Sequence, residues 1–222
     1  MLIELNHITK RYDGNPLPVL DDLSLKIPEG SSVAVAGPSG SGKSTLLNLL
    51  GTLDFPTTGE VLLNGVSTSA LSSEQLAAMR NRSIGFVFQT HLLLPQLTVM
   101  ENVLLPVIPQ PKDLQRQAYD RANRLLDIVG LSNKKKSFPG QMSVGECQRV
   151  AVVRALISEP ELLLADEPTG SLDHDSAENL CDMIMELKGD QSFTLIVVTH
   201  SSDLANRMDT VYRLVNGKIV QN

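Results

Sequence analysis

A phosphate-binding loop is the strongest chemical motif in the sequence. Residues 37–44 read GPSGSGKS, which fits the pattern G-x-x-x-x-G-K-[ST] at every fixed position. The apolar run 32–36 precedes the loop, and residues 45–50 have the character of an opening helix. Glycines let the backbone wrap closely around a polyphosphate, and N–H groups at a helix N-terminus attract an anion. We therefore expect the following residues to bind a nucleoside triphosphate: Gly37, Pro38, Ser39, Gly40, Ser41, Gly42, Lys43, Ser44 and Thr45.

Two acids follow a second apolar run. Residues 162–165 read LLLA and are followed by Asp166 and Glu167. Ligands of open α/β sheets lie at the carboxyl ends of buried strands. We expect Asp166 and Ser44 to hold Mg²⁺, while Lys43 reaches the β and γ phosphates. Glu167 is suited to orient and deprotonate the attacking water.

Two further predicted strands end in a polar side chain. His200 follows the apolar run 195–199, and Gln89 follows the run 84–88. A neutral imidazole at His200 is suited to hydrogen-bond the γ-phosphate and the attacking water. Gln89 has two interpretations, as an amide ligand of Mg²⁺ or as a residue that holds water. Because these strand ends converge on one sheet edge, we count both residues among the catalytic candidates.

Composition limits the class of protein. The 222 residues, 42% of them apolar and 20% charged, suit one large α/β domain or two small ones. The net charge of −6, with a main basic cluster of only residues 134–136, disfavours a nonspecific nucleic-acid binder. No apolar run approaches the ~18 residues that span a bilayer. Cys147 and Cys181 have no metal-ligand spacing and are typical of a reduced, cytosolic protein.

Hydrophobic periodicity predicts an α/β core interrupted by a mostly helical region from about residue 90 to 160. Alternation over residues 2–8 is interpreted as an edge strand. A hairpin is predicted around Asn216 and Gly217, a favoured type I′ turn pair. The other predicted strands cover residues 23–27, 32–36, 60–63, 84–88, 161–165 and 195–199, and helices cover 45–50, 72–80, 114–129, 144–158 and 177–187.

The motifs together resemble those of an ABC-type ATPase over essentially the whole chain. The resemblance is carried, in order, by the phosphate loop, Gln89, SVGE at residues 143–146, residues 162–167, SLD at residues 171–173, and His200. It implies an α/β fold with a P-loop NTPase core, an N-terminal antiparallel β subdomain and a helical insert. Residues 1–222 would form one domain, with residues 1–89 and 161–222 as the core and residues 90–160 as the helical subdomain. ATP and Mg²⁺ would be the cofactors.

The resemblance also implies that the ATP site is shared by two copies of the chain. The signature segment, with Ser143, Gly145 and Glu146, would contact the γ-phosphate of ATP held by the other subunit, and Asp173 would couple the two sites. Tyr12 would stack on adenine, although a surface tyrosine in a turn is the alternative. Val144 departs from the family glycine. A β-branched residue there disfavours positive φ and adds bulk, so we expect a reduced or retuned ATPase.

A membrane partner is implied as well. Residues 89–103, which begin at Gln89 and end at Val103, are unusually apolar for a loop. In the family this region accepts an integral membrane permease subunit, although Leu92, Leu93 and Leu94 would equally serve to cover the helical core. Within the family the chain is most similar to the LolD/MacB/FtsE-like subgroup, on the motifs IGFVFQ at residues 84–89, LLLP at 92–95, MENVLLP at 100–106 and LADEPTG at 164–170.

The predicted function is therefore that of an ATP-hydrolysing subunit of an ABC transporter or mechanotransmission complex. It would lie on the cytoplasmic face of the membrane, dimerise head to tail on ATP, and drive export without binding nucleic acid. The alternative is a soluble ABC-type ATPase that acts on nucleic acid or ribosomes, but such proteins usually carry two cassettes or a coiled-coil insertion. A small-molecule phosphotransferase is disfavoured by the signature segment, residues 171–173 and His200.

Overall fold

The structure, a computed structural model, describes residues 1–14 and 16–220. The chain forms two compact units. The first unit contains residues 1–80, 164–167 and the described part of 193–222, and the second contains residues 81–163 and 168–192. The strands are β1 (Ile3–Lys10), β2 (Leu20–Ile27), β3 (Ser32–Ala36), β4 (Thr58–Leu63), β5 (Val66–Ser67), β6 (Ile84–Val87), β7 (Leu162–Asp166), β8 (Thr194–Thr199), β9 (Thr210–Val215) and β10 (Lys218–Val220). The helices are α1 (Lys43–Leu50), α2 (Ser73–Ser83), α3 (Val99–Leu104), α4 (Lys112–Ile128), α5 (Val144–Leu156), α6 (His174–Asp190) and α7 (Ser202–Ala205).

The antiparallel sheet of the first unit has the strand order β2-β1-β4-β5. Ile3 of β1 pairs with Ile27 of β2 on one side and with Leu63 of β4 on the other. The prediction that residues 2–8 form an edge strand is therefore wrong, since β1 lies inside the sheet. The alternation of apolar and polar residues along a strand indicates which face of the strand is buried. It does not indicate whether the strand pairs with a neighbour on one side or on both.

The other sheet brings the phosphate loop and the end of β8 to one edge. In the first unit its order is β10-β9-β3-β8-β7, and β3 is parallel to both β8 and β9. Ala36, the last residue of β3, pairs with Thr199, the last residue of β8. All six residues of β8 are buried, which is why this strand reads as a continuous apolar run. The predicted hairpin is confirmed: Asn216 and Gly217 both have positive φ between β9 and β10.

The second unit is mostly helical, and α5 packs closely against β6. A Cβ at Gly85 would lie 2.4 Å from the carbonyl oxygen of Ala155, so only glycine allows this approach. The helix α4 buries one face, as predicted, through Ala118, Ala122, Leu125 and Leu126. Leu114, which was expected on that face, is 45% exposed in the first turn of α4. Among the described residues, no helix combines the length and apolar character that crossing a membrane requires.

Candidate functional site

The phosphate loop joins β3 to α1 and leaves backbone donors that can bind an anion. Gly42 is the N-cap of α1, with φ of +101° and no side-chain cap. A Cβ at this position would lie 2.8 Å from the carbonyl oxygen of Val19, so the loop requires glycine for both reasons. Because the first N–H groups of a helix have no intrahelical partner, those of α1 are available to phosphate oxygens.

Side chains inside the loop also suit a polyanion. Lys43 Nζ lies 2.8 Å from the carbonyl oxygen of Gly37 and 3.1 Å from that of Pro38. Ser41 Oγ is buried and has no hydrogen-bond partner among the residues that the structure describes. Because Gly37 has no side chain, the loop can lie close to the main chain of Leu214: a Cβ at Gly37 would lie 2.3 Å from the carbonyl oxygen of Leu214. An ammonium held by the loop and an unpaired buried hydroxyl fit a bound phosphate chain.

Ser44 and Asp166 supply the oxygen ligands that Mg²⁺ prefers. Ser44 Oγ lies 3.4 Å from Asp166 Oδ1. Burial raises the pKa of Asp166 and the charge of Glu167 adds to this, while the Ser44 hydrogen bond and the charge of Lys43 act in the opposite sense. A divalent cation would favour the ionised carboxylate. Because Mg²⁺ is usually held by one or two protein oxygens together with substrate phosphates, this donor set fits the ion.

Glu167 is held in a defined position by three donors on one oxygen. Its Oε2 accepts from His200 Nδ1 at 2.9 Å, from Thr199 Oγ1 at 3.1 Å and from the His200 main-chain N–H at 3.2 Å. Glu167 also has φ of +46°, and its own N–H donates to the carbonyl oxygen of Val198. The left-handed backbone and these bonds fix the carboxylate at the sheet edge.

The contact with Glu167 limits what His200 can do. Since a carboxylate only accepts, Nδ1 of His200 is the donor in this pair. In the neutral ring Nε2 is then an acceptor and can receive a hydrogen bond from water. Donation to a phosphate oxygen requires either the doubly protonated ring or loss of the bond to Glu167. Thr199 was not identified from the sequence, because a threonine at a strand end belongs to no motif.

Tyr12 belongs to a small polar cluster in the first unit. Its hydroxyl donates to Asp54 Oδ2 at 2.9 Å, and Lys10 Nζ lies 4.8 Å from its ring centroid. Burial raises the pKa of Asp54, but the bonds from Lys10, the Phe55 N–H and Tyr12 outweigh it and the pKa is lowered. Tyr12 is 43% exposed. Stacking on adenine stays a prediction.

In the second unit, Ser143 is the N-cap of α5 and forms a capping box with Glu146. Ser143 Oγ accepts from the Glu146 N–H at 3.1 Å, and Glu146 Oε2 accepts from the Ser143 N–H at 2.8 Å. The hydroxyl proton of Ser143 remains available to an anion. Val144 is the first residue of α5, so the predicted conflict with positive φ is wrong. Its side chain is 51% exposed, and only the argument from bulk remains.

Asp173 and Gln89 are both engaged within the second unit. Asp173 is the N-cap of α6 and accepts from Ser176 N at 2.9 Å and Ser176 Oγ at 2.7 Å, bonds that lower its pKa. The carbonyl oxygen of Gln89 accepts from Ser171 Oγ at 3.0 Å. A Cβ at Gly170 would lie 2.9 Å from Gln89 Nε2, so the amide packs on Gly170.

The predicted residues thus fall into two groups, one in each unit, and their roles stay predictions. The structure brings together in the first unit Lys43, Ser44, Asp166, Glu167 and His200. The second unit carries Gln89, Ser143, Gly145, Glu146 and Asp173.

Comparison with known proteins identifies the family. The model of the ABC transporter family matches residues 20–170. The lipoprotein-releasing system ATP-binding protein LolD of Syntrophus aciditrophicus (strain SB) is 47% identical over 99% of this chain and 99% of that protein. The lipoprotein-releasing system ATP-binding protein LolD 1 of Rhodopirellula baltica is 44% identical over 99% of this chain and 96% of that protein. Among solved structures, the chain is similar to a dimeric structure of a post-hydrolysis state of the ATP-binding cassette MJ0796 bound to ADP and Pi. The match has 36% sequence identity and a TM-score of 0.87, and it covers 99% of this chain and 97% of that chain.

These findings confirm the predicted fold, the predicted ATPase activity and the predicted resemblance to the LolD-like subgroup. The family model covers more than half of the described chain, and similarity to LolD extends over nearly all of it. The chain belongs to the ABC transporter family, as an ATP-binding and ATP-hydrolysing subunit.

Proposed function

We propose that this chain is the ATPase subunit of a system that releases lipoproteins from a membrane. The observation that carries the proposal is its 47% identity, end to end, to a lipoprotein-releasing system ATP-binding protein. On this proposal the chain lies on the cytoplasmic face of the membrane, bound to an integral permease subunit. The chain has a net charge of −6, which disfavours a nucleic-acid partner.

Within one copy, the first unit performs the chemistry. Lys43 and the loop N–H groups bind and orient the phosphates, and Ser44 and Asp166 hold Mg²⁺. Gln89, which belongs to the second unit, stays a predicted ligand of the ion. The bound Mg²⁺ supplies charge neutralisation along the phosphate chain. Glu167 receives the proton of the attacking water, and His200 positions Glu167 through the 2.9 Å contact.

A second copy completes the site. Ser143 Oγ accepts from the Glu146 N–H at the N-terminus of α5, which leaves its own proton for an acceptor outside the described residues, and this arrangement suits the γ-phosphate of a nucleotide bound to the other copy. The solved MJ0796 cassette of similar sequence is dimeric. We place Gly145, Glu146 and Asp173 at the same interface. Two such half-sites under two-fold symmetry enclose two ATP molecules.

The whole chain acts as one ABC ATPase domain on this proposal. Residues 1–89 and 161–222 bind and hydrolyse ATP, and residues 90–160 form the helical subdomain that carries the signature. Residues 15, 221 and 222, which belong to the first of these two regions, lie outside the described part of the chain. The permease contacts residues 89–103, where Leu92 is 56% and Leu94 40% exposed while Leu93 is buried. Leu93 thus covers the core of the second unit, and its two neighbours offer apolar contacts to a partner.

The proposal is tested with the chain purified from detergent-solubilised membranes together with its membrane subunits. After reconstitution in liposomes loaded with a lipoprotein, MgATP is expected to release the lipoprotein, and the Lys43→Met variant is expected not to. A control variant, Arg116→Lys on the exposed face of α4, should release it as the parent does. A parent chain that remains soluble, without a membrane protein and in complex with nucleic acid, would overturn the proposal.

A further inference from the structure

The main chain that follows β6 has no regular secondary structure, and a side chain of α5 holds it. Arg154 Nη2 donates to the carbonyl oxygen of His91 at 2.8 Å, and Nη1 donates to that of Leu92 at 2.7 Å. Nearer the start of α5, Gln148 Nε2 donates to the carbonyl oxygen of Phe88 at 2.7 Å. Hydrogen bonds from a guanidinium fork are charge-assisted and fix two carbonyls at a set spacing.

Asn102 of α3 fixes the next part of the same segment. It is fully buried, and its Oδ1 accepts from the Leu94 N–H at 2.8 Å. Its Nδ2 lies within 3.1 Å of the carbonyl oxygens of Leu94, Leu97 and Thr98. The segment is therefore anchored on both sides of the apolar residues that it presents.

Between these anchors the backbone adopts a costly conformation that displays apolar side chains. Leu92 has φ of +49°, a left-handed conformation unfavourable for leucine, and is 56% exposed. Leu93 is buried and its N–H donates to His91 Nδ1 at 3.1 Å. Strain that persists beside exposed leucines indicates that the surroundings hold a binding surface ready.

The helix α5 joins this anchor to the signature segment. Ser143 caps its N-terminus, and Arg154 lies in its last turn. The two residues are eleven positions apart on one continuous helix, or about 17 Å at ~1.5 Å per residue. A helix moves as a unit, so a displacement of Ser143 reaches the carbonyls held by Arg154.

We propose that Arg154 is a positioning residue that links nucleotide engagement at Ser143 to the placement of Leu92 and Leu94 against the membrane subunit. The inference rests on the proposed function, since it assigns a partner to those leucines. Among the described residues, Arg154 donates to the carbonyl oxygens of His91 and Leu92, and neither residue is placed in the ATP site. Its loss should leave the chemistry of the isolated chain intact and weaken the response to the partner.

The test compares Arg154→Lys with the control Arg116→Lys, an exposed arginine on α4. Lysine keeps the positive charge but cannot bridge two carbonyls as a planar fork does. We expect ATPase of the purified chain within about twofold of the parent. The co-purified membrane subunit should stimulate the ATPase of Arg154→Lys roughly tenfold less than that of the parent. Protection of the Leu93 amide from hydrogen exchange should also fall roughly tenfold, which is the factor for one lost hydrogen bond to a charged group. If the lysine variant does not fold, Arg154→Gln, which keeps one donor, replaces it.

Equal stimulation and equal amide protection in parent and Arg154→Lys would overturn the inference and leave the proposed function standing. A uniform loss of protection across α5, with basal and stimulated ATPase reduced together, would also overturn it, because that pattern indicates a structural role alone. Failure of the parent chain to associate with any membrane subunit would instead refute the proposed function.

Discussion

Replacing Gly145 by alanine separates the stability of one copy from the function of two. Gly145 is the second residue of α5, where glycine is a poor helix former. A Cβ there would lie 3.6 Å from Ser176 and 4.0 Å from Leu172, which is ordinary contact. Within its own chain the methyl group meets no obstacle. We expect Gly145→Ala to stabilise the chain by about 0.5–1 kcal/mol, through helix propensity and a less flexible unfolded state.

The same methyl group should impair ATP hydrolysis, because we place Gly145 against the nucleotide of a second copy. Overpacking at a close contact costs about 1–3 kcal/mol, and ~1.4 kcal/mol per site corresponds to a tenfold lower rate. Thermal unfolding without nucleotide should show a Tm higher by about 1–4 °C for a chain of this size. Steady-state ATPase should fall about tenfold or more. A destabilised variant would show that the methyl group is not accommodated within one copy, and a stabilised variant with the parent rate would show that Gly145 does not lie against the nucleotide of a second copy.

Three further predictions concern single residues. Val144→Gly should raise ATPase roughly five- to tenfold by relieving about 1–1.4 kcal/mol of crowding at the nucleotide of the other copy; unchanged rate and nucleotide affinity would show that Val144 does not tune the site. Gly42→Ala should lower the free energy of unfolding by at least about 1–2 kcal/mol, because φ is +101° and the Cβ would meet the carbonyl of Val19; a Tm equal to that of the parent would contradict this. Burial, and then the nearby guanidinium, lower the pKa of His91 below its ordinary 6.5, so the folded chain favours the neutral ring that accepts the Leu93 N–H. The stability that the neutral His91 ring contributes to the fold is present above pH 6.5 and is lost as the pH falls toward the folded pKa. In His91→Asn the amide oxygen can accept the same bond without titrating, so the Tm difference between pH 8 and pH 5.5 should be smaller than in the parent. Equal differences would exclude this role of His91.

Local patterns made much of the first unit predictable. The phosphate loop, the buried strand β8 and the hairpin at Asn216 each depend on residue types within a few positions of one another. These features are predictable because positive φ at a turn favours glycine and asparagine, and burial on both faces of a strand favours a continuous apolar run. The interior position of β1 was missed because it depends on which distant strands pair with it.

The predicted roles in catalysis came from motifs, but the contacts that tune them did not. Thr199 holds Glu167 only because the parallel register of β8 puts its hydroxyl at the sheet edge. The cluster around Tyr12 depends on Asp54, which lies 42 positions away in sequence. No sequence motif predicts that Arg154 donates to main-chain carbonyl oxygens 62 and 63 positions earlier in the chain. Such long-range partners follow from tertiary packing, which periodicity and spacing do not specify.

On the proposed function, Glu167 is the base of a site that only two copies of the chain complete. The most direct test measures the mass of Glu167→Gln in solution with excess MgATP, alongside its steady-state ATPase. An amide keeps the shape of the side chain but cannot take a proton, so we expect ATPase to fall by about 10²–10⁴-fold. We also expect a stable dimer with ATP and a monomer with ADP. A variant that stays monomeric in excess ATP would contradict the shared site, and one that hydrolyses ATP at the parent rate would contradict the role of Glu167 as base.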